Sequence, residues 1–457
     1  MQRPDFSRLS FLSTVPHSLR HWVLAVVATL AVSGLAPLVL LAGRGSSIAD
    51  KAVIKATFHE ALVVHVDLSA VAWFLGICLL CWALLTYARK SPIPYLRGAA
   101  LWTFGGGCAL IALSPLLHDG EALMSNYIPV YTSALFFLGL GLLAASLVLG
   151  LVDCGISTRI PPTAEPHEKA VIWGIAGSAY IVLVALGFFL WSYLRLPVPH
   201  AATQDYYELL FWAGGHILQL AYTQLLLVAW LALASASGLR VNLSPAFLYG
   251  MFLIYPLVAT ASPIGFLNGS LPYDLHFFTM QMRHGGGLAA GLLGIYLLWE
   301  LFRAGWPERE RLAIWTVFVT SGVLFASGGI IGFLIEGTNT IIPAHYHGSI
   351  VGTTLAFMGL IYLLLPRLGY ADILQRKMAI VQPLLYGGGS LIHALGFAVA
   401  GSYGTQRKTV GSMEEVEAAA NAAMKYARHG GSLAILGGAL FVALVIIAWK
   451  NRNKTAA

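Results

Sequence analysis

The sequence has little charge. Asp, Glu, Lys and Arg make up only 10% of its 457 residues, whereas soluble proteins carry about 25%. Hydrophobic residues make up 58%, and the mean hydropathy is +0.75. This composition excludes a soluble enzyme and a disordered protein. A nucleic-acid-binding protein is also excluded, because the net charge of +7 arises in short connections between apolar runs. Cysteine is also scarce, at four residues, so no disulfide framework is expected.

What the sequence does have is long apolar runs. A transmembrane helix needs about 20 mostly apolar residues. Twelve such runs predict an all-α integral membrane bundle, and no soluble domain interrupts it, so we treat residues 1–457 as a single membrane domain. The predicted spans are 21–43, 58–86, 98–117, 127–152, 170–194, 206–236, 244–265, 274–302, 312–335, 343–365, 378–401 and 431–449.

The Lys and Arg residues of the connections predict the orientation of the bundle. With the N-terminus in the cytoplasm, the inside segments carry 18 Lys and Arg residues and the outside segments carry 8. Both termini are therefore expected in the cytoplasm, in a multi-pass protein of the cell (inner) membrane.

Histidine is the unusual residue among the spans, because ionisable side chains in a bilayer are costly and usually functional. Eight histidines lie within spans or at their mouths, and all eight fall in the predicted outer half of the membrane. They are His59, His65, His216, His276, His284, His345, His347 and His393. Taken one at a time, they could be hydrogen-bonded packing residues or interfacial anchors, which is our interpretation of His59 and His276. A layer of imidazoles from several helices is also what a buried haem or metal site needs.

The sharpest local feature is the pair His345 and His347 in span 10. Residues at i and i+2 of a helix point about 200° apart. Two such imidazoles do not easily bind one metal, but each can bind a separate metal on its own side of the helix. The pair therefore predicts two haems, one six-coordinate and one with an open face.

At this point the chain resembles the haem-copper oxidase superfamily, which includes cytochrome oxidases and nitric oxide reductases. Span 10, "PAHYHGSIVGTTLAFMGLIYLLLP", is similar to the family's helix X. The resemblance implies that His345 is the proximal ligand of a high-spin haem and His347 a ligand of a low-spin haem. Span 2, "VVHVDLSAVAWFLG", resembles helix II and makes His65 the second low-spin ligand.

Two further segments carry the resemblance. Span 6, "LFWAGGHILQLAY", is similar to helix VI, whose histidine is the first ligand of a second metal, and His216 matches it. Span 11, "LIHALGFAVAGSYGTQRK", resembles the end of helix XI, where a histidine (here His393) precedes a basic pair. By that match, Arg407 and Lys408 would face the haem propionates.

The chain also departs from the family pattern. The helix VII stretch reads "ATASPIGFLNGS" and lacks the family's His-His pair, so two of the three expected ligands of the second metal are absent. Position 220, four residues after His216, is Leu220, where the oxygen reductases of one branch have tyrosine and the nitric oxide reductases commonly have glutamate. A second metal, copper or iron, is therefore doubtful.

Span 8 offers a replacement ligand. His284 could bind the second metal together with His216, with Arg283 beside it. Alternatively, Arg283 and His284 bond to a haem propionate or to a backbone carbonyl. A buried arginine needs a partner, and Asp67 is a candidate for it. Alternatively, Asp67 orients an imidazole.

The resemblance implies a haem-containing catalytic subunit that reduces a diatomic gas, oxygen or nitric oxide. Electrons would come from a partner on the outer face, a membrane-anchored cytochrome c or a copper protein. The alternative is a non-catalytic membrane haem protein, for gas sensing or electron relay, without the second metal. A third possibility, a transporter with histidine-lined helices, is not favoured, because no paired broken helices of a transport repeat are evident.

Overall fold

The computed structural model describes residues 4–9, 15, 18–43, 52–88, 93–157, 164–197, 203–408 and 418–451. Among them, twelve segments are long and apolar enough to cross a membrane, which confirms the twelve-span prediction. These spans, numbered in chain order, are Leu19–Leu41, Thr57–Tyr87, Tyr95–Leu117, Ala134–Ile156, Pro166–Arg195, Gln204–Ala236, Pro245–Phe266, Leu271–Ala304, Arg309–Phe333, Ile341–Leu364, Lys377–Ser402 and Ala418–Lys450. The main difference is span 12, whose helix begins at Ala418, thirteen residues before the predicted start.

Several spans are interrupted helices. Span 1 divides into Leu19–Ser33 and Ala36–Gly43, and span 8 into Leu271–Gly285 and Leu288–Ala304. Spans 2 and 11 each contain a widened π-helical turn, Asp67–Ala72 and Leu384–Gly388. Such turns are rare and often occur at functional sites. Both lie in spans that carry a candidate histidine, His65 or His393.

The only strands among the described residues form a short hairpin outside the membrane, between spans 3 and 4. Strand β1 (Ala122–Leu123) pairs antiparallel with strand β2 (Val130–Tyr131). The tip of this hairpin reaches the beginning of span 6, where the Asn126 backbone N–H donates to Glu208 Oε2 at 2.7 Å.

The spans that carry most candidate histidines are also the most buried. The core windows of spans 2, 6 and 10 are 89%, 94% and 67% buried, against 28% for span 8. Large apolar side chains on the peripheral spans are instead exposed, as a lipid-facing surface requires; they include Trp102, Leu194, Ile295 and Phe302. The fold thus places His65, His216, His345 and His347 on central helices and His284 on a peripheral one.

Spans 9 and 10 approach each other closely through glycines. A Cβ atom added at Gly328 would lie 2.1 Å from the backbone N of Ser349, and one at Gly348 would lie 2.3 Å from the Cα of Gly328. Small residues at such contacts let membrane helices pack backbone to backbone. This contact brings the candidate His345 against span 9.

The contact predicts a clear mutational contrast. Gly328→Ala should lower the melting temperature in detergent by several degrees, because overpacking of a tight interface costs about 1–3 kcal/mol. Gly329→Ala, on the same helix, meets no atom within 4 Å and should leave the melting temperature unchanged. Equal melting temperatures for the two variants would contradict the close approach of the two helices.

Candidate functional site

The two histidines of span 10 face different neighbours. His345 Nδ1 lies 2.7 Å from the carbonyl oxygen of Gly328 in span 9. The ring of His347 lies 4.5 Å from the ring of His393 in span 11, centroid to centroid. This is the divergence that the i, i+2 spacing predicts, because side chains two residues apart leave a helix on nearly opposite sides.

Three more candidate histidines are held in the same way. Nδ1 of His347, His216 and His393 lies 2.7, 2.8 and 2.6 Å from the carbonyl oxygens of Pro343, Trp212 and Ala427. His65 Nδ1 lies 3.3 Å from both the carbonyl and the hydroxyl oxygen of Ser33 in span 1.

These contacts fix the tautomer of the imidazoles. A carbonyl oxygen can only accept a hydrogen bond, so Nδ1 must carry the proton. The same holds for His65, because the Ser33 hydroxyl donates to the His65 carbonyl at 3.1 Å and accepts from Nδ1. In all five histidines the lone pair is therefore on Nε2, which is the neutral form that binds metals.

The basic pair lies beside the same group of spans. Arg407 is half-buried and lies near enough to Tyr346, the residue between the two histidines of span 10, for its charge to act on the tyrosine hydroxyl. Lys408 Nζ donates to the carbonyl oxygens of Met124 and Ser125 in the hairpin. Burial and, to a smaller extent, the charge of Arg407 lower the pKa of Lys408, the charge of Glu208 opposes them, and the resulting pKa is about 8. Lys408 is therefore mostly a cation at neutral pH and loses its charge under mildly alkaline conditions.

The structure does not bring the candidates of span 8 into this group. Arg283 is exposed, and its guanidinium donates to the Phe333 carbonyl at 2.8 Å. The sequence left three possible partners for Arg283, namely Asp67, a haem propionate and a backbone carbonyl, and in the structure the partner is a backbone carbonyl. His284 is also exposed, whereas His216 is 5% exposed. The expected pairing of His284 with His216 is therefore not supported, and the physical reason is the peripheral position of span 8.

Both sequence-based hypotheses for Asp67 are wrong. Asp67 is fully buried, and neither of its carboxylate oxygens has a hydrogen-bond partner among the described residues. It is thus neither the partner of Arg283 nor a group that orients an imidazole.

Comparison with known proteins identifies the family. Residues 18–433 match the model of the family described as cytochrome c and quinol oxidase polypeptide I. The chain belongs to this family. It is a multi-pass membrane protein related to subunit I of the haem-copper oxidases.

Similar proteins are found along nearly the whole chain. A protein of Rickettsia prowazekii (strain Madrid E), named only as uncharacterized protein RP382, is 28% identical over 92% of this chain and 94% of its own length. An uncharacterized protein of Aquifex aeolicus (strain VF5) is 26% identical over 77% of this chain and 85% of its own. A haem-copper terminal oxidase dimer, solved by cryo-electron microscopy, superposes on this chain with a TM-score of 0.66 at 15% sequence identity. The match covers 96% of this chain and 86% of the oxidase chain. That structure shows the shared fold.

The residues of this oxidase-family chain fit haem. Haem iron takes neutral imidazoles as axial ligands, and the five histidines bonded through Nδ1 have the required tautomer. Four of them, His65, His216, His345 and His347, come from central spans, and each ring is oriented by a carbonyl or by Ser33. Outer partners of this kind are typical of metal-binding histidines.

The residues do not fit the second metal of the oxidase family. Copper and iron sites need about three or more protein donors. In the part of the chain that the structure describes, no three His, Cys, Asp or Glu side chains come together as a metal-binding group. His216 instead packs between aromatic rings, at 4.7 Å from Tyr127 and 4.9 Å from Trp212.

Sequence reasoning missed the residues around His216. No motif in the sequence marks Tyr127, Asn126 or Glu208 as neighbours of His216. Trp212 and Glu208 precede His216 by one and two helical turns on span 6. From this helical spacing, Trp212 and Glu208 could have been predicted to share the face of span 6 that carries His216.

Proposed function

We propose that this protein is the haem-binding catalytic subunit of a respiratory oxidase or nitric oxide reductase-like complex. The proposal rests above all on His345 and His347, which leave span 10 toward different neighbours with Nδ1 of each bonded to a backbone carbonyl. That arrangement supports two haem ligands on one helix.

Each histidine has a separate role in this proposal. His347 and His65 hold a low-spin haem, and His345 holds a high-spin haem. Bound haem iron would supply one-electron transfer and the binding of oxygen or nitric oxide. Gly328 and Ser33 keep His345 and His65 in the tautomer that presents Nε2.

The remaining residues of the site act around these ligands. His393 packs on His347 and limits how that ring can turn. In this proposal Arg407 and Lys408 are the cations that attract the haem propionates. Their position near the hairpin supports an electron donor, a cytochrome c or copper protein, on that membrane face.

A second candidate function is favoured by one observation: among the described residues, no two further His, Cys, Asp or Glu side chains join His216 as a metal-binding group. A haem protein that binds a gas or relays electrons without reducing oxygen or nitric oxide needs no second metal. It would have the same haem ligands and the same fold.

Gas consumption separates the two functions. Haem-loaded protein, supplied with ascorbate and an electron mediator, should consume oxygen or nitric oxide, as followed with a gas electrode. His345→Ala should remove this activity, and the exposed His276→Ala should retain it. Haem-loaded wild-type protein that consumes neither gas would contradict catalysis and support the second function.

A further inference from the structure

The surroundings of His216 form a closed aromatic pocket. Trp212 lies one turn before His216 and is fixed by a hydrogen bond from its Nε1 to the Leu275 carbonyl at 3.2 Å. Tyr127, from the hairpin tip, covers the ring of His216. A Cβ atom at the adjacent Gly215 would lie 2.4 Å from Cγ of Tyr127, so the tyrosine packs directly on the backbone of span 6.

A carboxylate holds this cover in place. Both oxygens of Glu208 accept hydrogen bonds from Asn126, one from its backbone N–H and one from its side-chain amide. Asn126 directly precedes Tyr127, so the bonds fix the position of the tyrosine. Hydrogen bonds to an ionised carboxylate are stronger than neutral ones. Lys408 ties the other side of the hairpin tip through Met124 and Ser125.

A metal on His216 would require this arrangement to open. The ring would have to lose its contacts with Tyr127 or Trp212, and two or more further donors would have to approach. Of the segments that could supply them, "ATASPIGFLNGS" contains no histidine, cysteine, aspartate or glutamate. His284 is exposed on a peripheral span.

We propose that His216 binds no metal in this protein and that the hairpin tip is a lid on it, with Tyr127 as the cover and Glu208 as the positioning residue that holds the cover. A consequence for catalysis rests on the proposed function: without a metal on His216, the iron of the high-spin haem is the only metal of the catalytic site. Glu208 acts through Asn126 and Tyr127.

Metal analysis tests the first part. The protein is purified from cells grown with added copper, and its iron and copper are counted by mass spectrometry beside its haem. We expect iron equal to haem and copper far below one atom per chain. About one copper or one extra iron per chain, lost in His216→Ala, would overturn the proposal. A sample without haem would contradict the proposed function, while its non-haem metal content still tests this inference.

Chemical modification tests the lid. Diethylpyrocarbonate labels accessible imidazoles, and peptide mass spectrometry compares His216 with the exposed His118 of the same hairpin loop. His216 should be protected in the wild type. Glu208→Ala should raise its labelling rate about tenfold, the effect of losing a charge-assisted hydrogen bond. Tyr127→Ala removes the covering ring itself and should raise the rate at least as much. Glu208→Gln keeps one acceptor oxygen, so the labelling rate of His216 in this variant should lie between those of the wild type and Glu208→Ala.

The exposed Glu121 provides the matched control, because Glu121→Ala removes a carboxylate from the same loop. It should leave His216 protected. Labelling of wild-type His216 as fast as that of His118 would overturn the lid. Equal protection of His216 in Glu208→Ala and in the wild type would overturn the role of Glu208. Both results can be read whether or not the sample holds haem.

Discussion

His345→Ala should abolish carbon monoxide binding to the reduced protein and leave one six-coordinate haem per chain. In the proposed site, His345 is the only protein ligand of the high-spin haem, so its loss removes that haem's bond to the chain. The low-spin haem is held by His65 and His347 and should keep its spectrum. The measurement is the carbon monoxide difference spectrum together with the haem content.

Two controls make this result specific. The exposed His276→Ala, in the same half of the membrane, should bind carbon monoxide as the wild type does. His345→Gly with added imidazole should regain part of the signal, because imidazole can replace the missing side chain as the ligand. Undiminished carbon monoxide binding in His345→Ala would show that another residue holds the open haem.

His65→Ala and His347→Ala should each remove the low-spin haem signal, and the two variants should look alike. Both are axial ligands of one haem in this account, so loss of either breaks six-coordination. Absorption and electron paramagnetic resonance spectra of the oxidised protein measure the effect. Carbon monoxide should now bind to any haem left five-coordinate.

His393 provides the discriminating comparison. Its ring lies 4.5 Å from His347, so it is the nearest rival to His65 as the second ligand. His393→Ala should keep the low-spin signal, with at most a shift of its position. If His393→Ala removed the signal while His65→Ala kept it, the ligand pair would be His347 and His393.

The sequence predicts the spans and the different directions of His345 and His347 well, because both depend on local patterns. Long apolar runs must be helices in a membrane, and a two-residue spacing separates His345 from His347 whatever surrounds them. The interruptions of helices are harder to predict. The π-helical turn at Asp67–Ala72 has no proline or glycine to signal it.

Contacts between distant segments could not be predicted from the sequence. The sequence predicts Arg283 and His284 at haem depth in span 8, but depth does not reveal whether a helix is central or peripheral. Asn126 and Glu208 meet only because the hairpin folds over span 6. The orientation of the termini remains a prediction from the distribution of Lys and Arg.

The most direct test of the account is the haem content of the purified wild-type protein, measured with its reduced and carbon monoxide-treated spectra. The account predicts two haems per chain, of which one binds carbon monoxide and one remains six-coordinate. Protein that folds in the membrane but holds no haem would contradict the central claim, as would two haems that both bind carbon monoxide.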